Sequence, residues 1–379
     1  MQTAYLDNSA TTRPCAAAVE AIADALQVHW HNPSSLYEPG IEAKQRLEQA
    51  RRQVATALGA EPDRVYFTSG GTEADNWAIF SSARRMKKRG NHVITTAYEH
   101  HAVLNCFAEL ALEGFEVTYL KPDRQGRITA DDLAAALRPD TVLVSCMMVN
   151  NEVGAVLPIA EMARVTHRKC PNAIFHTDAV QGFLKVPFSA KTLGADFITI
   201  SGHKVGGPKG IGALYIGPRV KNPRPLLPGG GQEGGLRSGT EATAQIAGFA
   251  KAVELRTEGL EDKLRHMAEI KAYAKEQLSA IPDLVFVGRS DAPHILSVSL
   301  VGWPSQNIVN DLGSQGICIS AGSACHQGKP SQVVAALHLP KKTAGSVVRL
   351  SFGPETTRED IDACVQALRR HHDTRMPML

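Results

Sequence analysis

The stretch TVLVSCMMV, residues 141–149, is apolar on both of the faces that a β-strand presents, and FITIS at residues 197–201 has the same character. Strands that are apolar on both faces are typical of a parallel sheet with helices packed on each side. Between residues 65 and 217, the chain alternates such short β-rich runs with longer stretches of helical period. This alternation predicts repeated β–α–β units and therefore an α/β fold with a mostly parallel sheet.

The pattern changes after a segment rich in glycine and proline, NPRPLLPGGGQEGGLRSGT at residues 222–240. A long amphipathic helical segment is expected over residues 241–281, and shorter strands interleaved with helices follow it. We therefore expect a large domain at residues 13–258 and a smaller α+β domain at residues 259–379. The apolar run within residues 1–12 is expected to pack onto the smaller domain.

The composition is that of an ordinary globular protein. Hydrophobic residues make up 43% of the 379 residues and charged residues 21%, which excludes a disordered chain or a collagen-like fibre. The formal net charge of +3 is too small to favour nucleic acid or an acidic membrane as a partner. No apolar run reaches the length of a membrane-spanning helix, and no secretory signal is visible, so a cytoplasmic protein is expected.

Seven cysteines are scattered along the chain, and none has the C-x-x-C spacing of zinc sites or thioredoxin-like motifs. The histidines are scattered as well, so no metal site is predicted. Cys325 differs from the other cysteines, because it lies among small residues, next to His326 and near Lys329. A neighbouring cation favours the reactive thiolate, which makes Cys325 a candidate nucleophile. Cys318, within GICIS, is more typical of a buried spacer.

The segment SGHKVGGPKGIG follows directly on the apolar run FITI and contains Lys204. Ligands of open α/β sheets bind at the carboxyl ends of the strands, where this lysine is expected to lie. A lysine at such a position can form a Schiff base with an aldehyde cofactor. Most lysines are solvated surface residues, but the glycine-rich turn and the buried strand before it argue against that alternative here.

Three further segments place polar residues at strand ends. In FTSGGTEADN, the N–H groups of Gly71 and Thr72 begin a helix and could hold a phosphate, although such residues also cap many ordinary helices. In FHTDAVQG, Asp178 is either a plain helix cap or a carboxylate that a pyridinium N–H keeps ionised. In EHHAV, His100 is a candidate for a residue that lies on an aromatic cofactor and moves protons, with His101 as its competitor.

Taken together, these segments resemble those of the cysteine desulfurases, pyridoxal phosphate (PLP) enzymes grouped with the class V aminotransferases. The resemblance implies a PLP fold-type I structure whose large domain contains a mostly parallel seven-stranded sheet. It also implies a homodimer, with PLP bound where domains and subunits meet. The resemblance extends over nearly the whole chain, through YLDNSATT, FTSGGTEADN, EHHAV, VNNEVGAVLPI, FHTDAVQ, SGHKVGGPKGIGALY, GGGQEGGLRSGT, SAGSAC and RLSFG.

The resemblance implies roles for individual positions. Lys204 corresponds to the Schiff-base lysine, and Asp178 to the partner of the pyridine nitrogen. His100 corresponds to the residue stacked on the ring, which is also a proton carrier, and Cys325 to the cysteine that forms a persulfide. The other corresponding positions are Gln181 at the phenolic oxygen, Gly71, Thr72, Ser201 and His203 at the phosphate, Thr240 at the phosphate of the neighbouring subunit, Asn151 near cofactor and substrate, and Arg349 at the substrate carboxylate.

The activity that the resemblance implies is removal of sulfur from L-cysteine, which gives L-alanine and a persulfide on Cys325 for transfer to an acceptor protein. The sequence does not identify the acceptor protein, and iron–sulfur cluster assembly is one pathway that could use the sulfur. Selenocysteine lyase, another C–S lyase and an aminotransferase are alternatives with the same fold. A non-enzymatic scaffold is disfavoured because Lys204, Asp178 and Cys325 are all present. The segment from Cys325 to Pro330 is shorter than in the best-known housekeeping members.

Overall fold

The computed structural model describes residues 3–321 and 331–378, and the strands formed by these residues belong to three sheets. The largest sheet contains seven strands, another contains three, and the smallest contains two. The strands are, in chain order, β1 (Ala4–Tyr5), β2 (Val65–Thr68), β3 (His92–Thr96), β4 (Glu116–Leu120), β5 (Thr141–Ser145), β6 (Ile174–Asp178), β7 (Phe197–Ser201), β8 (Gly212–Ile216), β9 (Leu284–Val287), β10 (Ile295–Leu300), β11 (Ile317–Cys318) and β12 (Val347–Ser351).

The seven-stranded sheet has the strand order β2-β8-β7-β6-β5-β3-β4. Strand β8 is antiparallel to both of its neighbours, whereas the pairs formed among β7, β6, β5, β3 and β4 are parallel. Strands β5 and β7 are buried at every position, as expected for strands that are apolar on both faces. The predicted mostly parallel seven-stranded sheet is thus confirmed.

Helices cover both faces of this sheet. Val93 and Ile94, which are consecutive in β3, enter different hydrophobic clusters, because side chains alternate across a strand. The helices are α1 (Ala16–Gln27), α2 (Glu38–Leu58), α3 (Gly71–Met86), α4 (His101–Leu112), α5 (Ala130–Ala136), α6 (Ile159–Lys169), α7 (Ala190–Leu193), α8 (Thr243–Thr257), α9 (Leu260–Leu278), α10 (Ser305–Ser314), α11 (Gln332–Ala336), α12 (Lys341–Ala344) and α13 (Arg358–Thr374). Helices α3 and α4 contribute to one side of the core, and α2, α6 and α8 to the other.

The helical segment expected over residues 241–281 is two helices, α8 and α9, rather than one. Gly259 lies between them with a φ of 58°, in the left-handed region that interrupts a helix and that glycine adopts without strain. The hydrophobic periodicity continues on both sides of this break, so the pattern alone does not show it. None of the helices in the described ranges combines the length and apolar character required to cross a bilayer.

The C-terminal part of the chain forms the two smaller sheets. Strand β10 pairs with β9 and β12 in an antiparallel sheet, and β1 pairs in parallel with β11. Ala4 and Leu6 pack in one hydrophobic cluster with residues of α9, α10 and α13. However, Val287, Ile295 and Val347 belong to the hydrophobic cluster of the seven-stranded sheet. One hydrophobic core therefore extends from the large sheet to the C-terminal part of the chain. The division of the chain at residues 258 and 259 stays a prediction.

Candidate active site

A cavity of about 390 Å³ opens at the carboxyl ends of the parallel strands, where loops follow β3, β5, β6 and β7. Ligands of open α/β sheets bind at this edge. The cavity brings together residues predicted from the sequence to form the site, namely Gly71, Thr72, His100, Asn151, Asp178, Gln181, Ser201, His203, Lys204 and Arg349. Thr240 is exposed and does not line the cavity. Cys325 lies outside the described residues.

Several lining residues were not expected from the sequence. Ser9 and Ala10 belong to YLDNSATT, a segment of the family resemblance to which no site residue was assigned. Asp75 follows Thr72 by three positions on α3, so the two side chains share a helix face, a spacing that could have indicated it. Met147 and Val149 follow β5 and line the cavity with apolar side chains.

Lys204 lies in a short 3₁₀ turn, Gly202–Lys204, directly after β7. Its Nζ atom donates hydrogen bonds of 2.7 Å to the carbonyl oxygens of Ser9 and Ala10. Burial lowers the pKa of Lys204 to about 8, with Arg349 acting in the same direction and Asp178 against it. A lysine whose pKa is lowered in this way is more often the neutral amine, which is the nucleophilic form.

Asp178 ends β6 and lines the cavity. Its Oδ1 atom accepts a hydrogen bond of 2.8 Å from the N–H of Val180, and no lysine, arginine or histidine in the described ranges forms an ion pair with it. Burial and then the carboxyl group of Asp75 raise the pKa of Asp178 to about 7, and His100 acts in the opposite direction. A buried carboxyl group of this kind ionises readily only when a ligand supplies a positive donor.

His100 is the N-cap residue of α4. Its Nδ1 atom accepts a hydrogen bond from the N–H of Ala102, so the proton of the neutral ring is on Nε2. Burial, which is the largest effect, lowers the pKa of His100. The ring is therefore neutral near pH 7 and lines the cavity beside Asp178 and Lys204. His101, its competitor, is exposed and begins the helix.

The N-terminus of α3 forms another part of the cavity wall. The first N–H groups of a helix have no partner within the helix and attract anions. Gly71 packs closely here, because a Cβ atom at this position would lie 2.9 Å from Cγ2 of Val180. Thr72, Ser201 and His203 add further polar side chains to the lining of the cavity. The helix N-terminus can accept a phosphate group.

Arg349 reaches the cavity from β12. Its Nη2 atom donates to Asp7 at 2.6 Å and its Nη1 atom donates to the carbonyl oxygen of Asn151 at 2.7 Å. The Nε atom is buried without a hydrogen-bond partner within residues 3–321 and 331–378, and the same holds for Oδ1 of Asn151. Unused buried donors and acceptors at a cavity wall indicate a polar ligand.

The donor set of the cavity fits PLP. The helix N-terminus suits the phosphate, the unpaired carboxyl group of Asp178 suits a pyridinium N–H, and Lys204 suits an aldehyde. No group of three or more histidine, cysteine, aspartate or glutamate side chains that could hold a metal ion occurs among the residues with described positions.

Comparisons with known proteins give a consistent result. The family model Aminotransferase class-V matches residues 4–364. The chain is 40% identical over 373 residues to a cysteine desulfurase IscS of Clostridium botulinum, covering 96% of this chain and 93% of the relative. Among solved structures, a NifS-like protein is similar at a TM-score of 0.92, with 34% identity and coverage of 98% of this chain and 100% of that chain. A structure of SspA in complex with cysteine is similar at a TM-score of 0.82, with 33% identity and coverage of 94% and 100%.

Proposed function

This chain belongs to the class V aminotransferase family and is a PLP-dependent cysteine desulfurase, and from that premise we propose the part that each site residue plays. The enzyme removes sulfur from L-cysteine and leaves L-alanine. The observation that carries the proposed roles is the convergence of Lys204, Asp178 and Arg349 on one cavity, because this reaction requires an aldehyde-binding amine, a pyridinium partner and a carboxylate clamp.

We propose that four groups hold the cofactor. Lys204 would bind its aldehyde, Asp178 would keep its pyridine nitrogen protonated, His100 would lie on its ring, and the N-terminus of α3 with Ser201 and His203 would hold its phosphate. The bound PLP ring supplies the sink for electrons released when the substrate loses its α-proton. The unpaired carboxyl group of Asp178 and the lowered pKa of Lys204 support this assignment.

Arg349 is proposed to bind the carboxylate of L-cysteine. A guanidinium group forms two parallel hydrogen bonds to a carboxylate, and Nε of Arg349 is buried with no hydrogen-bond partner among the described residues. The substrate carboxylate would take the place of Asp7 on Nη2 and use Nε as the second donor. Asn151, whose carbonyl oxygen holds Nη1, would keep the guanidinium plane fixed while the substrate binds.

Lys204 and His100 are the proposed proton carriers. Nζ of Lys204 would act as the base toward the α-proton of the substrate, because its lowered pKa of about 8 leaves a useful fraction unprotonated near neutral pH. Nε2 of His100 carries the proton of the neutral ring and can exchange it with the substrate. Both side chains line the cavity in which the substrate would bind.

Cys325 is proposed to take up the sulfur. Its thiolate attacks the sulfur atom of the substrate, an S–S bond forms as the C–S bond breaks, and the electron pair of that bond stays with the substrate carbon, which is then protonated to alanine. The support is its sequence context, small residues with His326 and Lys329 nearby, which favours the thiolate. The persulfide would then pass to an acceptor protein, with iron–sulfur cluster assembly as the proposed pathway.

A homodimer, in which Thr240 reaches the phosphate in the neighbouring subunit, is also proposed. Two observations support it. Thr240 is exposed and away from the cavity of its own chain. Large apolar side chains are exposed close together in sequence, with Leu26 at 61%, Trp30 at 64%, Leu36 at 93% and Tyr37 at 58%, and apolar surface of this kind is usually covered by a partner. We further propose a cytoplasmic location, which the free cysteines among the described residues support.

One experiment tests the assignment of Cys325. The purified holoenzyme is given L-cysteine, and alanine and protein persulfide are measured for the wild type, for Cys325→Ala and for Cys15→Ala as a cysteine control. We expect Cys325→Ala to keep the visible absorbance of bound PLP and to lose both products, and Cys15→Ala to keep them. Pyruvate and ammonia in place of alanine would indicate an eliminating lyase. If Cys325→Ala formed alanine at the wild-type rate, Cys325 would have no role in the mechanism.

A further inference from the structure

Two buried side chains hold the amide group of Gln181 from behind the cavity. Nζ of Lys185 lies 3.0 Å from Oε1 of Gln181, and Nε2 of His294 lies 3.3 Å from the same oxygen. Lys185 is 2% exposed and His294 is fully buried. Nζ of Lys185 donates to this atom of Gln181, which is therefore the accepting carbonyl oxygen, and Nε2 of His294 lies within hydrogen-bond distance of the same oxygen.

The opposite side of the amide faces the cavity. Nε2 of Gln181 donates a hydrogen bond of 2.8 Å to the carbonyl oxygen of Ser9, which also accepts the hydrogen bond from Lys204. An amide nitrogen carries two N–H groups, so one stays available to a ligand in the cavity that Gln181 lines. A rotated amide would place Oε1 against the oxygen of Ser9, and two acceptors repel each other.

The local structure brings the three side chains together. Strand β6 ends at Asp178, and the following turn contains hydrogen bonds from the N–H groups of Phe183 and Lys185 to the carbonyl oxygens of Ala179 and Gly182. The side chains of Gln181 and Lys185, four residues apart, therefore point to the same side. His294 arrives from the distant end of the chain, immediately before β10.

Stability alone does not account for this arrangement. No carboxylate in the described part of the chain forms an ion pair with Lys185, and the surrounding charges are those of Lys204, Arg256 and Arg349. Burial and these cations lower the pKa of Lys185 well below its usual value. A buried amine without an ionic partner is costly. Nδ1 of His294 is also buried without a hydrogen-bond partner among the residues described.

We propose that Lys185 and His294 are positioning residues for the reaction, which hold Oε1 of Gln181 so that its amide N–H faces the phenolic oxygen of bound PLP. They do not touch the reacting atoms and act through Gln181. This rests on the proposed function, since it needs PLP in the cavity with its phenolic oxygen near Gln181. An N–H directed at that oxygen stabilises its anionic form, whereas a rotated carbonyl would destabilise it.

The test measures two properties of the bound cofactor rather than turnover. The variants are Lys185→Met, Gln181→Ala, the double variant and His294→Leu, with exposed Lys191→Met as a lysine control. For each, the dissociation constant of PLP and the pH midpoint of the visible absorbance band are determined. For Lys185→Met we expect PLP binding about tenfold weaker and a midpoint about one pH unit higher, the size expected for one lost hydrogen bond to an anionic oxygen. Lys191→Met should match the wild type.

The double variant separates positioning from general damage. Adding Lys185→Met to Gln181→Ala should change neither property by more than about twofold, because the residue acts through the amide that is already absent. An equal effect of Lys185→Met in both backgrounds, or no effect in the wild-type background, would overturn the proposal. Should Lys185→Met fail to fold by circular dichroism, His294→Leu supports the proposal if it moves the midpoint in the same direction and overturns it if it does not. If the wild-type enzyme binds PLP and releases alanine, the proposed function holds regardless of the results with these variants.

Discussion

Nζ of Lys204 donates a hydrogen bond of 2.7 Å to the carbonyl oxygen of Ser9, a residue 195 positions away in the chain. The N-terminal segment therefore closes over the end of β7 and fixes the lysine before any ligand binds. Thr12 strengthens this closure, since its N–H and its hydroxyl both donate to the carbonyl oxygen of His203. The position of the amine is set by tertiary contacts and not only by the turn that contains it.

PLP uptake by the apoprotein should depend on pH through Lys204. The neutral amine is the form that attacks an aldehyde, and the pKa of Lys204 is lowered to about 8. The rate of PLP binding should therefore rise about tenfold per pH unit below about pH 8 and level off above it. Stopped-flow absorbance measures this rate, with Lys204→Ala as the variant that forms no visible band and Lys191→Ala as the control. A rate that does not change across this range would contradict the assignment.

Arg349→Lys should weaken substrate binding more than cofactor binding. A lysine cannot form the paired hydrogen bonds of a guanidinium group with a carboxylate, and its single amine would replace contacts to both Asp7 and Asn151. We expect KM for L-cysteine to rise at least about tenfold, with the absorbance of bound PLP retained. The exposed Arg358→Lys serves as the control. An unchanged KM in Arg349→Lys would show that another group binds the carboxylate.

Gly71→Ala should weaken PLP binding without unfolding the chain. The new methyl group would lie 2.9 Å from Cγ2 of Val180, at the N-terminus of α3, so the helix start or Val180 must move in the phosphate site. We expect the dissociation constant of PLP to rise about tenfold, the equivalent of one lost hydrogen bond. Gly313→Ala is a matched control, because that helical glycine has open space around it. Equal PLP affinity in both variants would argue against a phosphate at this end.

Asp75→Asn should flatten the pH dependence of apoprotein stability. Burial raises the pKa of Asp75 from 3.8 to about 8, and His176, whose pKa burial lowers to about 4, is neutral and cannot compensate. Between these two values the folded state keeps a proton on Asp75 that the unfolded state has released. The stabilisation of the folded state by this proton is complete below pH 3.8 and is lost as the pH rises through about 8. Within this window the wild-type unfolding free energy should fall with pH more steeply than that of Asp75→Asn, by about 1.4 kcal/mol per pH unit.

Urea unfolding of the apoprotein at about pH 5, 6 and 7 measures this difference in slope. Exposed Asp63→Asn is the control and should keep the wild-type slope, because replacing a solvated carboxyl group removes no buried proton. A wild type and an Asp75→Asn variant with parallel pH profiles would mean that Asp75 is ionised in the folded state.

The sheet could be predicted because its signal is local. Strands such as β5 and β7 carry their two-faced apolar pattern within a few residues, and that pattern reflects burial by helices on both sides. The break between α8 and α9 has no comparable signal in the pattern of apolar residues. Gly259 interrupts the backbone by its dihedral angle, which leaves the spacing of apolar residues around it unchanged.

The α/β class, the strand ends at which Asp178 and Lys204 lie, and the family could all be predicted, because each is encoded in short contiguous segments of the chain. The distant groups that act on the site residues become evident once the chain is folded. His294 contacts Gln181 across 113 positions of the chain, and Ser9 contacts Lys204 across 195. Hydrogen bonds and pKa shifts depend on distances of a few ångströms in space, and no local pattern in the chain encodes such distances.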